Sequence, residues 1–210
     1  MVDLCAFFFA ADLEVMDHKY YWERALDYSN YRTTIDEMLE EGRTSGPNQS
    51  DALLDYTKMN VQRMRRWDKT FQLAPDLKQV LAENRPKENW LVITEAWCGD
   101  AAQIIPALAK MAEQASSIEM RLIWRDEYPE LINEYLTNGV SKSIPVLIRL
   151  DENFQPLGKW GPRPQSAQAM FVRHKEEGTD PKKAKEELHL WYARNKQQEL
   201  QAEIYRMLIN

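Results

Sequence analysis

The stretch WLVITEAWCGDAAQIIP, residues 90–106, decides how the chain is read. Its first half is a dense apolar run rich in β-formers, read as a buried strand, and it is followed by a helix from about Ala101 to Gln114. A lone cysteine, Cys98, stands at the junction. MRLIW, residues 120–124, reads as a second short buried strand, and YPELINEYL, residues 128–136, as a further helix. IPVLIRLDENFQPLGKWG, residues 144–161, reads as two strands turning around Asp151 to Asn153, which favours an antiparallel hairpin. Strand, helix and strand in succession call for parallel pairing of the first two strands.

Outside this block the pattern is helical. From Lys19 to Glu41 apolar and aromatic residues recur at helical spacing, as one helix or two, until Gly42. The loop RTSGPNQS follows, and Ser50 is placed to cap a helix through Trp67. Arg63, Arg65 and Arg66 lie on that helix and read either as an anion or RNA patch or, as is usual on amphipathic helices, as a solvated face. Pro75 opens a short helix. Residues 164–178 form another, and from Asp180, with Pro181 in the first turn, a long charged helix has an apolar stripe interrupted at Asn195 and Gln198. The expected division is 1–15, an added tag or over-long start; 16–74, a helical extension; 75–177, the α/β domain; and 178–210, the C-terminal helix.

The chain of 210 residues is 44% hydrophobic, enough to fill one core. Its 27 Lys and Arg against 33 Asp and Glu, a net charge of −6, argue against a general polyanion binder such as a nucleic-acid protein. Two cysteines, Cys5 and Cys98, are too few for a secreted disulfide scaffold and fit a reducing, cytoplasmic setting. The first fifteen residues lack the basic start of a secretory signal, and nothing approaches the roughly 20 apolar residues of a membrane span. His18, His174 and His189 are scattered and form no zinc spacing with the cysteines, so neither metal nor cofactor is expected. A hydrolytic Cys98–His174 pair finds no support in their positions.

At the start of a helix, unpaired backbone amides and the helix dipole stabilise a thiolate, whereas Asp100 in the same turn opposes ionisation. Cys98 therefore reads either as a nucleophile or as a small apolar residue that packs well. Trp97, Trp124 and Trp160 read as groove or as core, and Pro145 as an ordinary edge proline on its pattern alone.

The element order, with AWCGDA after the first strand and SIPVLI before the third, resembles the thioredoxin fold over about residues 75–177. Within that superfamily the chain is most similar to bacterial thioredoxin-like proteins with N-terminal helices. The resemblance implies an α/β architecture: a central mixed sheet of about four strands flanked by helices, with added N-terminal helices and a long C-terminal helix. It also implies a site in which Trp97 and Cys98 open the motif, Gly99 and Asp100 follow, and Ile144 precedes a cis Pro145 beside the thiol. An extended peptide or a thiol tripeptide would pair with the backbone there, flanked by Trp97, Ile144 and Trp160.

The departures from the family pattern are chemical. WCGDA stands where the family has WCGPC, so Ala101 replaces the resolving cysteine, Asp100 the intervening proline, and Val92 the buried acid that assists proton transfer. Dithiol exchange within the motif is impossible. Cys5 lies in the stretch read as a tag or over-long start and is a poor substitute. What remains is a monothiol site for thiol–disulfide exchange or redox sensing, in which Cys98 attacks a disulfide or glutathione-like adduct and a protein thiol or low-molecular-weight thiol resolves the mixed disulfide. Lys159 or Arg163 of GKWGPRP would offer the positive charge. The alternative is a redox-inactive adaptor that keeps the groove for peptides or protein partners. The sequence leaves the oligomeric state open.

Overall fold

The structure, a computed structural model, describes residues 16–209. The tag or over-long start assigned to residues 1–15, and Cys5 with it, lies outside the described residues. Among the described residues no helix is long and apolar enough to cross a membrane.

Four strands form one mixed sheet in the order β2-β1-β3-β4. They are β1, Glu88–Thr94; β2, Ile118–Trp124; β3, Val146–Leu150; and β4, Pro156–Trp160. β1 pairs with β2 in parallel, with Val92 opposite Leu122, and with β3 in antiparallel, with Val92 opposite Leu147. Leu91, Val92, Ile93 and Thr94 are all buried although neighbours point to opposite faces, so both faces of the central strand are covered. Each such Leu, Ile or Val contributes about 1.5–3 kcal/mol by leaving water.

The edges are handled differently. β4 is largely exposed and carries Pro156, Gly158 and Lys159, residue types that discourage further pairing. β2 is capped from within, since Leu26 accepts from the Leu122 amide at 2.7 Å and donates to its carbonyl at 2.8 Å. Leu26 lies between α1, His18–Trp22, and α2, Tyr28–Glu40, so the helical segment read from Lys19 to Glu41 is two helices around a sheet contact.

α3, Asp51–Thr70, begins after Ser50, whose side chain makes no capping bond, and α4, Pro75–Ala82, follows with proline in its first turn. α3 packs along α5, Gly99–Gln114, the helix that follows β1. α6 spans Pro129–Glu134 and α7 Gln165–Glu176.

The C-terminal segment is helical, and it is two helices rather than one: α8, Pro181–Asn195, and α9, Gln198–Ile209. Lys196 and Gln197 between them adopt the left-handed conformation, with φ of 50° and 64°. The Gln197 amide donates to the Gln103 carbonyl of α5, which ties the break to the core. It falls where Asn195 and Gln198 interrupt the apolar stripe. α8 then crosses the start of α5, while α9 packs on α4.

Candidate functional site

β1 ends at Thr94, and the chain turns through Glu95 to Trp97 before Cys98 takes the N-cap position of α5. Cys98 is the free cysteine of the described residues and is 8% exposed. Its Sγ accepts the Ala101 amide at 3.5 Å, and its S–H donates to the Ile144 carbonyl at 3.3 Å. The Ile144–Pro145 peptide is cis, as is Gly161–Pro162. Burial, reinforced by the Asp100 carboxylate, pushes the Cys98 thiol up to about 12, against the opposing pull of the Ala101 amide and Arg163. Desolvation wins over the helix terminus.

The loop after β4 closes the site. Gly161 has φ of 128°, and a Cβ there would stand 2.3 Å from the Pro145 carbonyl oxygen, so only glycine permits this approach. Two residues later Arg163 reaches Asp100, Nη2 to Oδ2 at 2.6 Å. Tyr192 of α8 donates its hydroxyl to Asp100 Oδ1 at 2.8 Å. Both oxygens of a 7% exposed carboxylate are thereby engaged. Lys159 does not join the site; its Nζ donates to the Leu136 carbonyl and lies over the Tyr135 ring.

A cavity of about 730 Å³ opens onto this junction. Trp97, Cys98, Gly99, Asp100 and Ile144 line it, joined by Leu53, Tyr56 and Arg63 of α3 and by Leu188 and His189 of α8. The N-terminal extension therefore supplies a wall of the site. Trp97 carries the Arg125 guanidinium over its ring at 4.9 Å. Pro145 lies behind this surface, against the Gly161 loop. Trp160 does not flank the cavity: its side chain turns to α9, where its indole N–H donates to Glu203 at 2.6 Å. Trp124 packs in the core against Tyr31.

Among the arginines of α3, Arg65 and Arg66 fit the solvated-face reading, pairing with Asp36 and lying over Trp67. Arg63 does not, because it lines the cavity and donates to Asn60 Oδ1 at 2.8 Å. His174 also lines the cavity, but its nitrogens face Thr179 Oγ1 at 3.2 Å and Glu187 Oε2 at 3.1 Å, not the sulfur. His18 is held by the Tyr135 hydroxyl at 2.5 Å, far along the chain from both.

Sequence reasoning missed Tyr192, His189 and Glu95. Tyr192 and His189 sit in a highly charged helix whose local pattern gives no hint of a partner 90 residues earlier. Glu95 had a visible signal, a carboxylate ending a run of apolar residues. It is fully buried, accepts from the Ser45 hydroxyl and from the Asp126 amide at 2.8 Å, and burial pushes it up to about 7. At the family's acid position, Val92 is simply core.

A family model described as thioredoxin matches residues 46–187, more than half of the chain, and the chain belongs to that family. The match reaches beyond residues 75–177 into α3 and α8, the two helices that wall the cavity. No curated protein matches the chain. Two solved structures share its fold: a protein of unknown function from Pseudomonas aeruginosa, TM-score 0.61, and an HIV epitope-scaffold, TM-score 0.60. Each is 15% identical and covers 92% of this chain and 98% of its own.

Proposed function

We propose that this protein is a thioredoxin-fold binding module, whose cavity beside Cys98 receives a ligand without thiol–disulfide chemistry. The supporting observation is the state of the sulfur. A buried thiol pushed up to about 12, donating to the Ile144 carbonyl, is overwhelmingly protonated at pH 7. The thiolate is the nucleophile in disulfide exchange, so the resting site holds almost none of the reactive species. In this reading Cys98, Trp97, Gly99, Asp100 and Ile144 form the floor and rim of the cavity, and α3 and α8 its walls.

Monothiol exchange is the second reading, favoured by the position of Sγ at a helix N-cap that opens on the cavity. In it the Cys98 thiolate attacks a disulfide, forms a mixed disulfide and expels one thiolate. The thiolate of a second protein or low-molecular-weight thiol then attacks the partner's sulfur of that mixed disulfide, expelling the Cys98 thiolate and completing a new disulfide.

Alkylation with iodoacetamide separates the two. A binding module gives a rate at pH 7 well below that of free cysteine, rising about tenfold per pH unit through pH 10 without a plateau. A rate above free cysteine, levelling below pH 8, would overturn the binding reading in favour of exchange.

A further inference from the structure

The cavity combines a charged rim with an apolar body, and its charge runs against that of the protein. The chain carries a net −6, yet the side chains lining the cavity include Arg63, Arg125, Arg163, Lys175 and Lys185 against the single carboxylate of Asp100. Asp100 is already occupied by Arg163 and Tyr192. Arg125 is paired with Asp126. Arg63 has no carboxylate within ion-pair distance among the described residues.

Two side-chain amides fix the donors at the start of α5. The Trp67 indole can only donate, and it donates to Gln103 Oε1 at 2.6 Å. The other end of that amide, Nε2, must then donate to His189 Nδ1, 3.4 Å away. An imidazole accepting at Nδ1 carries its proton on Nε2. Likewise the Asn60 Nδ2 group donates to the Ala96 carbonyl at 2.9 Å, which turns its Oδ1 toward Arg63 Nη1. Both heads converge on Gly99: a Cβ there would meet His189 Cε1 at 3.0 Å, His189 Nε2 at 3.3 Å and Arg63 Nη1 at 3.5 Å. The result is a guanidinium and an imidazole N–H at the N-terminus of a 16-residue helix. Every one of these groups is a donor. Arg163 adds a buried Nε without a partner on its nine-tenths buried side chain.

We propose that this cluster binds the carboxylate of a small organic acid whose apolar body lies against Leu53, Trp97, Ile144, Phe171 and Leu188. Guanidinium and carboxylate match in geometry, and the helix terminus favours an anion. The volume falls within the range of small-molecule sites, roughly 300–1,000 Å³. Tyr56 and Lys185, joined at 2.9 Å, bound the cavity on the α3–α8 side. His189 is held neutral, down to about 4, by burial and by Arg63 and Lys185, so it offers one N–H without adding charge.

This inference rests on the cavity being a binding site. Isothermal titration of the full chain with octanoate tests it, with 1-octanol supplying the apolar body alone and acetate the charge alone. Octanoate is expected to bind at least tenfold tighter than either. Arg63→Gln should weaken octanoate at least tenfold and leave octanol unchanged, Arg63→Lys should weaken it less, and Arg65→Gln, remote from the cavity, should have no effect. Far-ultraviolet circular dichroism checks that each variant is folded, and His189→Phe gives a second route if Arg63→Gln is not. Equal affinity for octanol and octanoate would overturn the carboxylate assignment while leaving the cavity as a binding site. No binding of octanoate, or binding indifferent to both Arg63 and His189, would overturn the assignment outright. Fast alkylation of Cys98 alone would strike the binding reading, not the anion cluster.

Discussion

Two buried guanidinium–carboxylate pairs stand at opposite ends of β1, and they are finished differently. At the start of the strand, Arg149 grips Glu88 through two bonds, Nη2 to Oε1 at 2.6 Å and Nε to Oε2 at 2.7 Å. The Trp90 indole adds a third bond to Oε2 at 3.0 Å, and Arg149 Nη1 donates to the Met207 carbonyl of α9. Every nitrogen of Arg149 and both oxygens of Glu88 have a partner there. Just beyond the other end of the strand, Arg163 touches Asp100 with one nitrogen and gives a second to Gln168 at 3.0 Å, while its face lies over the Phe171 ring. Its Nε has no partner. A closed network at one end pins the last helix to the sheet; an incomplete one at the other borders a cavity. Guanidinium and carboxylate thus give cohesion at one end and, in the reading proposed above, recognition at the other, according to whether the protein itself partners every nitrogen.

The sharpest way to break this contrast is Arg149→Met. It strands Glu88 in the interior, and stability should fall by about 3–5 kcal/mol in urea denaturation. Octanoate affinity should stay within about twofold, because the cavity lies past the far end of the strand. A matching loss of affinity would mean that the two ends are coupled and the contrast false.

Glu95 sharpens the comparison as a third buried carboxyl, one with no guanidinium within ion-pair distance among the described residues. For Glu88, burial alone would raise the titration point, but the bonds from Arg149 and Trp90 hold it below the usual carboxylate range. For Glu95 burial prevails, raising it from 4.5 to about 7. A carboxyl that holds its proton more tightly when folded contributes stability fully below its unfolded value. That contribution drains away as pH rises toward 7. The loss should be about 3 kcal/mol between pH 4.5 and 7.5, and Glu95→Gln should flatten that slope in urea midpoints measured across the interval. A slope unchanged by the substitution would assign the pH dependence elsewhere.

Tyr192→Phe is the smallest change. It deletes one donor from Asp100 and should lower stability by about 1–2 kcal/mol, read from the same denaturation curves. A neutral result would show that water replaces the hydroxyl, and the site end of the strand would be wetter than the Glu88 end.

The fold was legible because its signals are local. An apolar run stopping at Trp97, a hairpin turn at Asp151 to Asn153 and prolines opening α4 and α8 are all set within a few residues, and they deliver the mixed four-strand sheet and the added helices. The division at Lys196 and Gln197 was visible only as a faltering stripe, because its cause is a hydrogen bond to α5 across 94 residues. The candidate site was legible in outline: Trp97, Cys98, Gly99, Asp100 and Ile144 line one cavity, whereas Pro145 lies outside that lining. Its chemistry was not. Whether a thiol at a helix terminus ionises depends on desolvation, and the cavity beside Cys98 is walled in part by Leu188 and His189 of α8, from the far end of the chain. Arg63 was read with its solvated neighbours, since the sequence of an amphipathic helix does not disclose which flank faces a void.

That α8 walls the cavity beside Cys98 also orders events in time. On the ribosome the segment bearing the sulfur emerges nearly a hundred residues before Tyr192 and Leu188, so the nascent chain passes through an interval in which its thiol is bare. During that interval the burial that raises the thiol's titration point in the folded protein is not yet in place. In the binding reading proposed above, a cysteine that is quiet in the finished protein is open to reaction while the chain is still being made.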